Sequence, residues 1–167
     1  MKYKLSDICY FGKEKIAVDT LNEENYISTE NMLPNKGGIV KASSLPTIAQ
    51  VNSFGVGDVL VSNIRPYFKK VWHAEFEGGC SNDVLVFKTE EGIDSYFLYY
   101  VLANDDFFAY SMATSKGTKM PRGDKIALME YKVPKYSFYD QRKISSVLTS
   151  IDRKILINND INENLAS

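Results

Sequence analysis

The apolar positions of the chain change their period part of the way along it. In the first half they come as short alternations and brief runs, the mark of strands. Tyr3-Lys4-Leu5-Ser6-Asp7-Ile8 alternates and predicts a short opening strand or turn. From Asp19 to Ser53 the chain is polar, and Pro34-Asn35-Lys36-Gly37-Gly38 and Leu45-Pro46 divide it into loop-rich β pieces. Gly57-Asp58 turns into Val59-Leu60-Val61-Ser62-Asn63-Ile64, whose β-branched content makes it the most secure strand, and Pro66 ends it. Tyr67 to Ala74 is expected to return as its partner. After Gly78-Gly79, Val84 to Phe87 supplies a further buried strand. A curved, mostly antiparallel sheet follows from these pieces.

Beyond Asp94 the spacing becomes helical. Ser95 to Ala103 predicts a short buried helix, and Asp105 is placed to cap a second one running through Met112. Ser115 to Gly123 holds two glycines and a proline in nine residues and predicts a loop. One helical turn over Asp124 to Met129 and a strand over Tyr131 to Val133 lead to Pro134. The stretch from Tyr139 to Leu165 then has no Gly or Pro after Asp140, with Ser137 and Asp140 set as a capping pair. Ile144, Leu148, Ile151 and Ile155 recur at spacings of four, three and four, the seam of a helix that pairs with another helix. At about 1.5 Å per residue this helix is roughly 40 Å long, more than a small domain needs to cover its core. Asn158 and Asn162 continue the seam before Leu165, with Ile161 beside it, so that buried amides would fix its register. A terminal helix docked on its own domain is the competing reading.

Composition narrows the class. With 167 residues and 44% hydrophobic content, the chain has material for one core: a globular domain over 1–136 and a long helix over 137–167. The fold class is α+β. Two cysteines and no apolar leader point to a reducing cytoplasm. The run from Tyr96 to Ala103 is too short to cross a bilayer. A net charge of −1 does not advertise a nucleic-acid binder, but the cations are clustered. Arg65, Lys69 and Lys70 form one group; Lys116, Lys119, Arg122 and Lys125 form another, diluted by Asp124.

Few motifs carry chemistry. Gly55-Val56-Gly57 lacks the strand-then-helix context of a nucleotide loop. His73 is the sole histidine, so neither a metal site nor a triad has much to build on. Asp124 with Glu130-Tyr131-Lys132 allows an alternative, a small metal-dependent nuclease. No cofactor is called for.

Four segments together carry a resemblance. Gly57 to Tyr67, Ser81 to Phe87, Gly117-Thr118-Lys119-Met120-Pro121-Arg122, and Asp140-Gln141-Arg142-Lys143-Ile144 with Ile151-Asp152-Arg153-Lys154-Ile155 resemble, in order and spacing, the specificity subunit of a type I restriction-modification system. That family places a target recognition domain of this length before a long conserved helix and normally carries the unit twice; here it occurs once. The family's consecutive prolines and Glu-Gln pair are replaced here by Pro134 alone and Asp140-Gln141.

The resemblance implies a non-catalytic module that reads double-stranded DNA. It would dock the methyltransferase subunit and, through it, the restriction subunit, and a chain with one unit would pair with itself through the helix. For DNA contact it points to Lys116, Thr118, Lys119, Met120 and Arg122 first, and to Arg65, Tyr67 and Lys69 at the sheet rim second. Ile144, Leu148, Ile151, Ile155, Asn158, Asn162 and Leu165 would pair helices. The rival class is a helix-mediated protein interaction module.

Overall fold

The computed structural model describes residues 1–167. Nine strands come first: β1 (Lys2–Lys4), β2 (Cys9–Phe11), β3 (Lys15–Ala17), β4 (Tyr26–Ile27), β5 (Gln50–Phe54), β6 (Val59–Ser62), β7 (Val71–His73), β8 (Gly78–Cys80) and β9 (Val84–Thr89). Helices α1 (Ser95–Leu102), α2 (Asp105–Thr114) and α3 (Lys125–Met129) follow, then β10 (Lys132–Pro134) and the long α4 (Phe138–Ala166).

The single sheet expected from sequence is in fact three. A central antiparallel sheet has the order β2-β9-β6-β7, a second has the order β3-β5-β8-β4, and β1 pairs with β10. All pairs are antiparallel except β4 with β8. The central sheet is covered on both faces, which explains its uninterrupted apolar runs. Val59, Val61, Val71, Leu85 and Phe87 point to the core shared with Leu98, Leu102, Phe107 and Phe108 of α1 and α2. Their neighbours in the period of two, Leu60, Trp72, Val84 and Val86, point to the other side, against Ile27, Phe54 and Cys80 of the second sheet. Burying each large side chain of this kind stabilises by about 1.5–3 kcal/mol.

Several local expectations need correcting. Gly78-Gly79, to which the sequence assigned no element, lies in strand β8, where a Cβ on Gly78 would lie 2.0 Å from the Asn25 carbonyl oxygen and one on Gly79 would lie 2.6 Å from Leu21 Cδ1. Only residues without side chains let β4, β5 and β8 close up there. The return strand begins at Val71 rather than Tyr67, because Pro66–Phe68 forms a turn of 3₁₀ helix. Asn104, not Asp105, caps α2, its side chain accepting from the Asp106 amide at 2.8 Å.

Helix α4 starts as its sequence predicts, Ser137 Oγ accepting from the Asp140 amide at 3.1 Å and donating to Asp140 Oδ2 at 2.8 Å. Gln141 is buried and ties two elements together. Its Oε1 accepts from the Asp94 amide at the head of α1, and its Nε2 donates to the Tyr136 carbonyl, both at 3.0 Å. Ile144 packs on the main core, Leu148 is half-buried, and Tyr100 of α1 donates to Asp152 Oδ2 at 2.7 Å. After Ile151 every residue is exposed. The competing reading of the helix holds for its first half, which docks on its own domain; its second half projects.

The seam divides along the length of the helix. At about 100° per residue Ile144, Leu148, Ile151 and Ile155 fall within about 60° of one another. Ile144 and Leu148 are partly covered by the domain, which Gln141, Ser145, Thr149 and Asp152 also meet. Ile151 and Ile155 continue the stripe exposed, with Val147, Ile161 and Leu165 beside them and Asn158 and Asn162 between.

Candidate nucleic-acid interface

Glycine and proline shape the loop after α2 into a hairpin. The Lys116 and Arg122 backbones exchange hydrogen bonds of 2.9 Å each way, and Gly117 takes φ +92° to close the turn. Thr118, Lys119 and Met120 are exposed at the tip, whereas Pro121 is buried. The hairpin is bound by main chain to the segment leaving β6: the Arg65 amide donates to the Pro121 carbonyl at 2.8 Å and the Gly123 amide to the Asn63 carbonyl at 2.9 Å. Gly123 is needed for this approach, since a Cβ there would lie 2.5 Å from Asn63 Oδ1, itself buried and without a partner. Two basic clusters about fifty residues apart in sequence are thus one surface in the fold.

A second loop joins them. The Asn35 and Lys36 amides donate to the carbonyls of Phe68 and Lys69, each at 2.8 Å. Asn35, Lys36, Arg65 and Lys69 all adopt left-handed backbone, at φ of 55°, 61°, 48° and 52°, and no other non-glycine residue has positive φ. Such a conformation costs a side-chain-bearing residue about 1 kcal/mol or more, and strain of this kind concentrates at functional sites. Between Arg65 and Lys69, Tyr67 and Phe68 are exposed, their rings 4.7 Å apart. Sequence pattern missed Lys36 because nothing local ties its loop to the 65–69 turn.

Most of these cations are already paired. Lys116 meets Asp124 at 2.6 Å, which raises the lysine pKa and lowers that of the aspartate, whose side chain also accepts from the Ile126 and Ala127 amides as the cap of α3. Arg122 meets Asp83 at 2.9 Å. Asp105 bridges Lys36 and Lys69 at 3.0 Å each, and the two ammonium groups hold its carboxyl below the usual range. Lys70 reaches the Thr29 carbonyl, and burial first, then the Arg65 charge, lowers its pKa. Lys119, Lys125 and Arg65 make no ion pair, so theirs are the free charges of the two clusters.

The nuclease alternative does not survive this geometry. Asp124 and Glu130 stand at opposite ends of α3, six residues or about 9 Å apart along its axis. Each has its own lysine, Lys116 for Asp124 and Lys4, at 2.8 Å, for Glu130. No two-carboxylate cluster forms. His73 closes β7, stacked on Tyr96 at 3.9 Å with its Nε2 3.0 Å from Ser95 Oγ, as a packing residue.

Comparison with known proteins sets this surface in context. The sequence model of the type I restriction modification DNA specificity domain matches residues 1–167. The specificity subunit of the Escherichia coli type I restriction enzyme EcoDI is 29% identical over 128 residues, covering 72% of this chain and 28% of that protein. Among solved structures, the HsdS subunit from Thermoanaerobacter tengcongensis aligns with a TM-score of 0.73 at 18% identity, over 96% of this chain and 44% of the other. The S subunit of a type I restriction-modification system from M. genitalium aligns with a TM-score of 0.61 at 18% identity, over 92% and 39%. The chain spans less than half the length of each of these relatives, and the match of the family model along all of it makes the chain a member of the type I restriction modification DNA specificity domain family.

Proposed function

We propose that residues 1–136 read a specific sequence in double-stranded DNA and that residues 137–167 space and dock the assembly of a type I restriction-modification system. The methyltransferase subunit is the partner carried to the target, the restriction subunit joins through it, and the cytoplasm is the place of work. The chain itself performs no chemistry. One observation carries this reading: the Lys116–Arg122 hairpin is fastened by main chain to the Arg65–Lys69 turn, so that the eight sequence-predicted contact residues share one rim with Lys36.

The roles divide by charge state. Lys119, unpaired at the tip, and Arg122, held in orientation by Asp83, are the residues to reach guanine edges in the major groove, where a good bidentate contact contributes about 1–3 kcal/mol of discrimination. Thr118 and Met120 flank them for hydroxyl and methyl contacts. Arg65 and Tyr67 follow along the rim. Helix α4, through Ile151, Ile155, Asn158, Asn162 and Leu165, pairs with a second copy.

The test begins with selection of duplexes from a random pool in the presence of the methyltransferase subunit. Changing Lys119 and Arg122 together to Ala is expected to weaken binding to the selected duplex by several kcal/mol, at about 1–3 per base contact, and to leave a scrambled duplex much less affected. Unchanged discrimination would overturn the assignment of the hairpin.

A further inference from the structure

Asp105 is exposed, yet it accepts from two lysines that come from different loops, Lys36 and Lys69, at 3.0 Å each. Both lysines are about two-thirds buried at their side chains, and both sit on left-handed backbone locked by the Asn35-to-Phe68 and Lys36-to-Lys69 hydrogen bonds. The two ammonium groups are therefore held close together around one oxygen by the loop backbones that carry them, since an exposed ion pair itself contributes only about 0–1 kcal/mol. A phosphodiester oxygen carries the same charge as the carboxylate oxygen it would replace.

The pair stands beside the hairpin on one rim. Lys69 closes the turn that begins at Arg65, whose amide donates to the Pro121 carbonyl of the hairpin at 2.8 Å, and the Lys36 amide donates to the Lys69 carbonyl at 2.8 Å. With the hairpin in the major groove, a cationic pair beside it is placed for the phosphates along the groove's edge.

We infer that Lys36 and Lys69 form a phosphate-binding pair for the same duplex, and that Asp105 occupies the phosphate position in the free protein. The inference rests on the DNA-reading function proposed above and adds a contact that is indifferent to sequence. Phosphate contacts set orientation and register while base contacts specify, so the pair fixes how the hairpin enters the groove. Asp105 lowers affinity for every duplex equally.

Fluorescence anisotropy of the chain with its methyltransferase partner, on selected and scrambled duplexes over a range of salt, tests this. Lys36→Asn and Lys69→Asn remove the charge while tolerating left-handed backbone. Each is expected to weaken both duplexes by the same factor and to reduce the slope of log affinity against log salt by about 0.9, the loss of one phosphate contact. Asp105→Asn, which disturbs neither loop, is expected to strengthen both by about fivefold, the effect of one exposed unit charge at contact distance. If the lysine and Asp105 variants bind like wild type while the Lys119/Arg122 variant fails, the phosphate pair is overturned and the hairpin reading stands. If the wild-type chain discriminates no duplex, both fall. A change confined to the selected duplex would make the lysines base readers and refute the phosphate assignment.

Discussion

His73 shows how much one side chain's environment decides. Its ring is stacked on Tyr96 and bonded to Ser95 Oγ, and burial lowers its pKa despite the opposing fields of Asp94, Glu75 and Asp58. A base whose folded pKa lies below its unfolded value binds its proton more readily when unfolded. Its stabilising effect is therefore complete above the unfolded value, about 6.5, and is lost as pH falls below that toward the folded value. Urea midpoints measured between pH 8 and pH 5 are expected to fall more steeply for wild type than for His73→Gln; parallel curves would show that the ring titrates as freely as in the unfolded chain. The sequence could place His73 at a strand end, but not its partners, which come from α1. Cys9 and Cys80 are similar: their count argued against a disulfide framework, whereas only the fold shows both thiols buried, their pKa values pushed up to about 12.

Elements were legible where one local rule decided them. The strand at Val59, the strand at Val84, the cap at Ser137, the helical turn after Asp124 and the loop around Gly117 each follow from a short pattern, and each is present. Strand β8 was not legible because Gly-Gly signals a turn everywhere except where another backbone must pass against it. That exception is testable. Gly78→Ala would drive a Cβ into the Asn25 carbonyl, which is main chain and cannot swing aside, so the β4–β8 pairing must open. A loss of more than about 3 kcal/mol in equilibrium unfolding is expected, in line with overpacking at a backbone contact, and the change should be larger than for Gly38→Ala, where a Cβ would meet nothing within 4 Å. The hairpin and the 65–69 turn belong to the same class of difficulty. Each was predicted as a basic segment, but their junction is a set of main-chain bonds between distant residues, for which side-chain pattern holds no signal.

At the scale of the molecule, the exposed half of α4 raises the question of what covers it. Val147, Ile151, Ile155, Ile161 and Leu165 are each about half exposed or more in a stripe that runs on past the domain, and apolar surface of that kind marks an interaction site. A second copy in a two-fold antiparallel pair would bring ten such side chains together. Completing their burial contributes about 1 kcal/mol each, half the value for full burial, against an association cost of about 4–15 kcal/mol. At the low end of that cost the balance is about −6 kcal/mol, a Kd of tens of micromolar, so self-pairing should depend on concentration from there upward. Asn158 and Asn162 interrupt the stripe and would admit few registers, which fixes the distance between the two recognition domains. The DNA target should then be two inverted half-sites with a constant gap. Light scattering of the chain alone at about 100 micromolar and above is expected to show dimers, and Ile151→Glu with Ile155→Glu a folded monomer. The docked residues Ile144 and Leu148 should behave differently, because their replacement by Glu strikes the contact with α1 and lowers stability before it affects assembly. A wild-type chain that stays monomeric throughout that range would refute self-pairing and leave the partner subunits to cover the stripe.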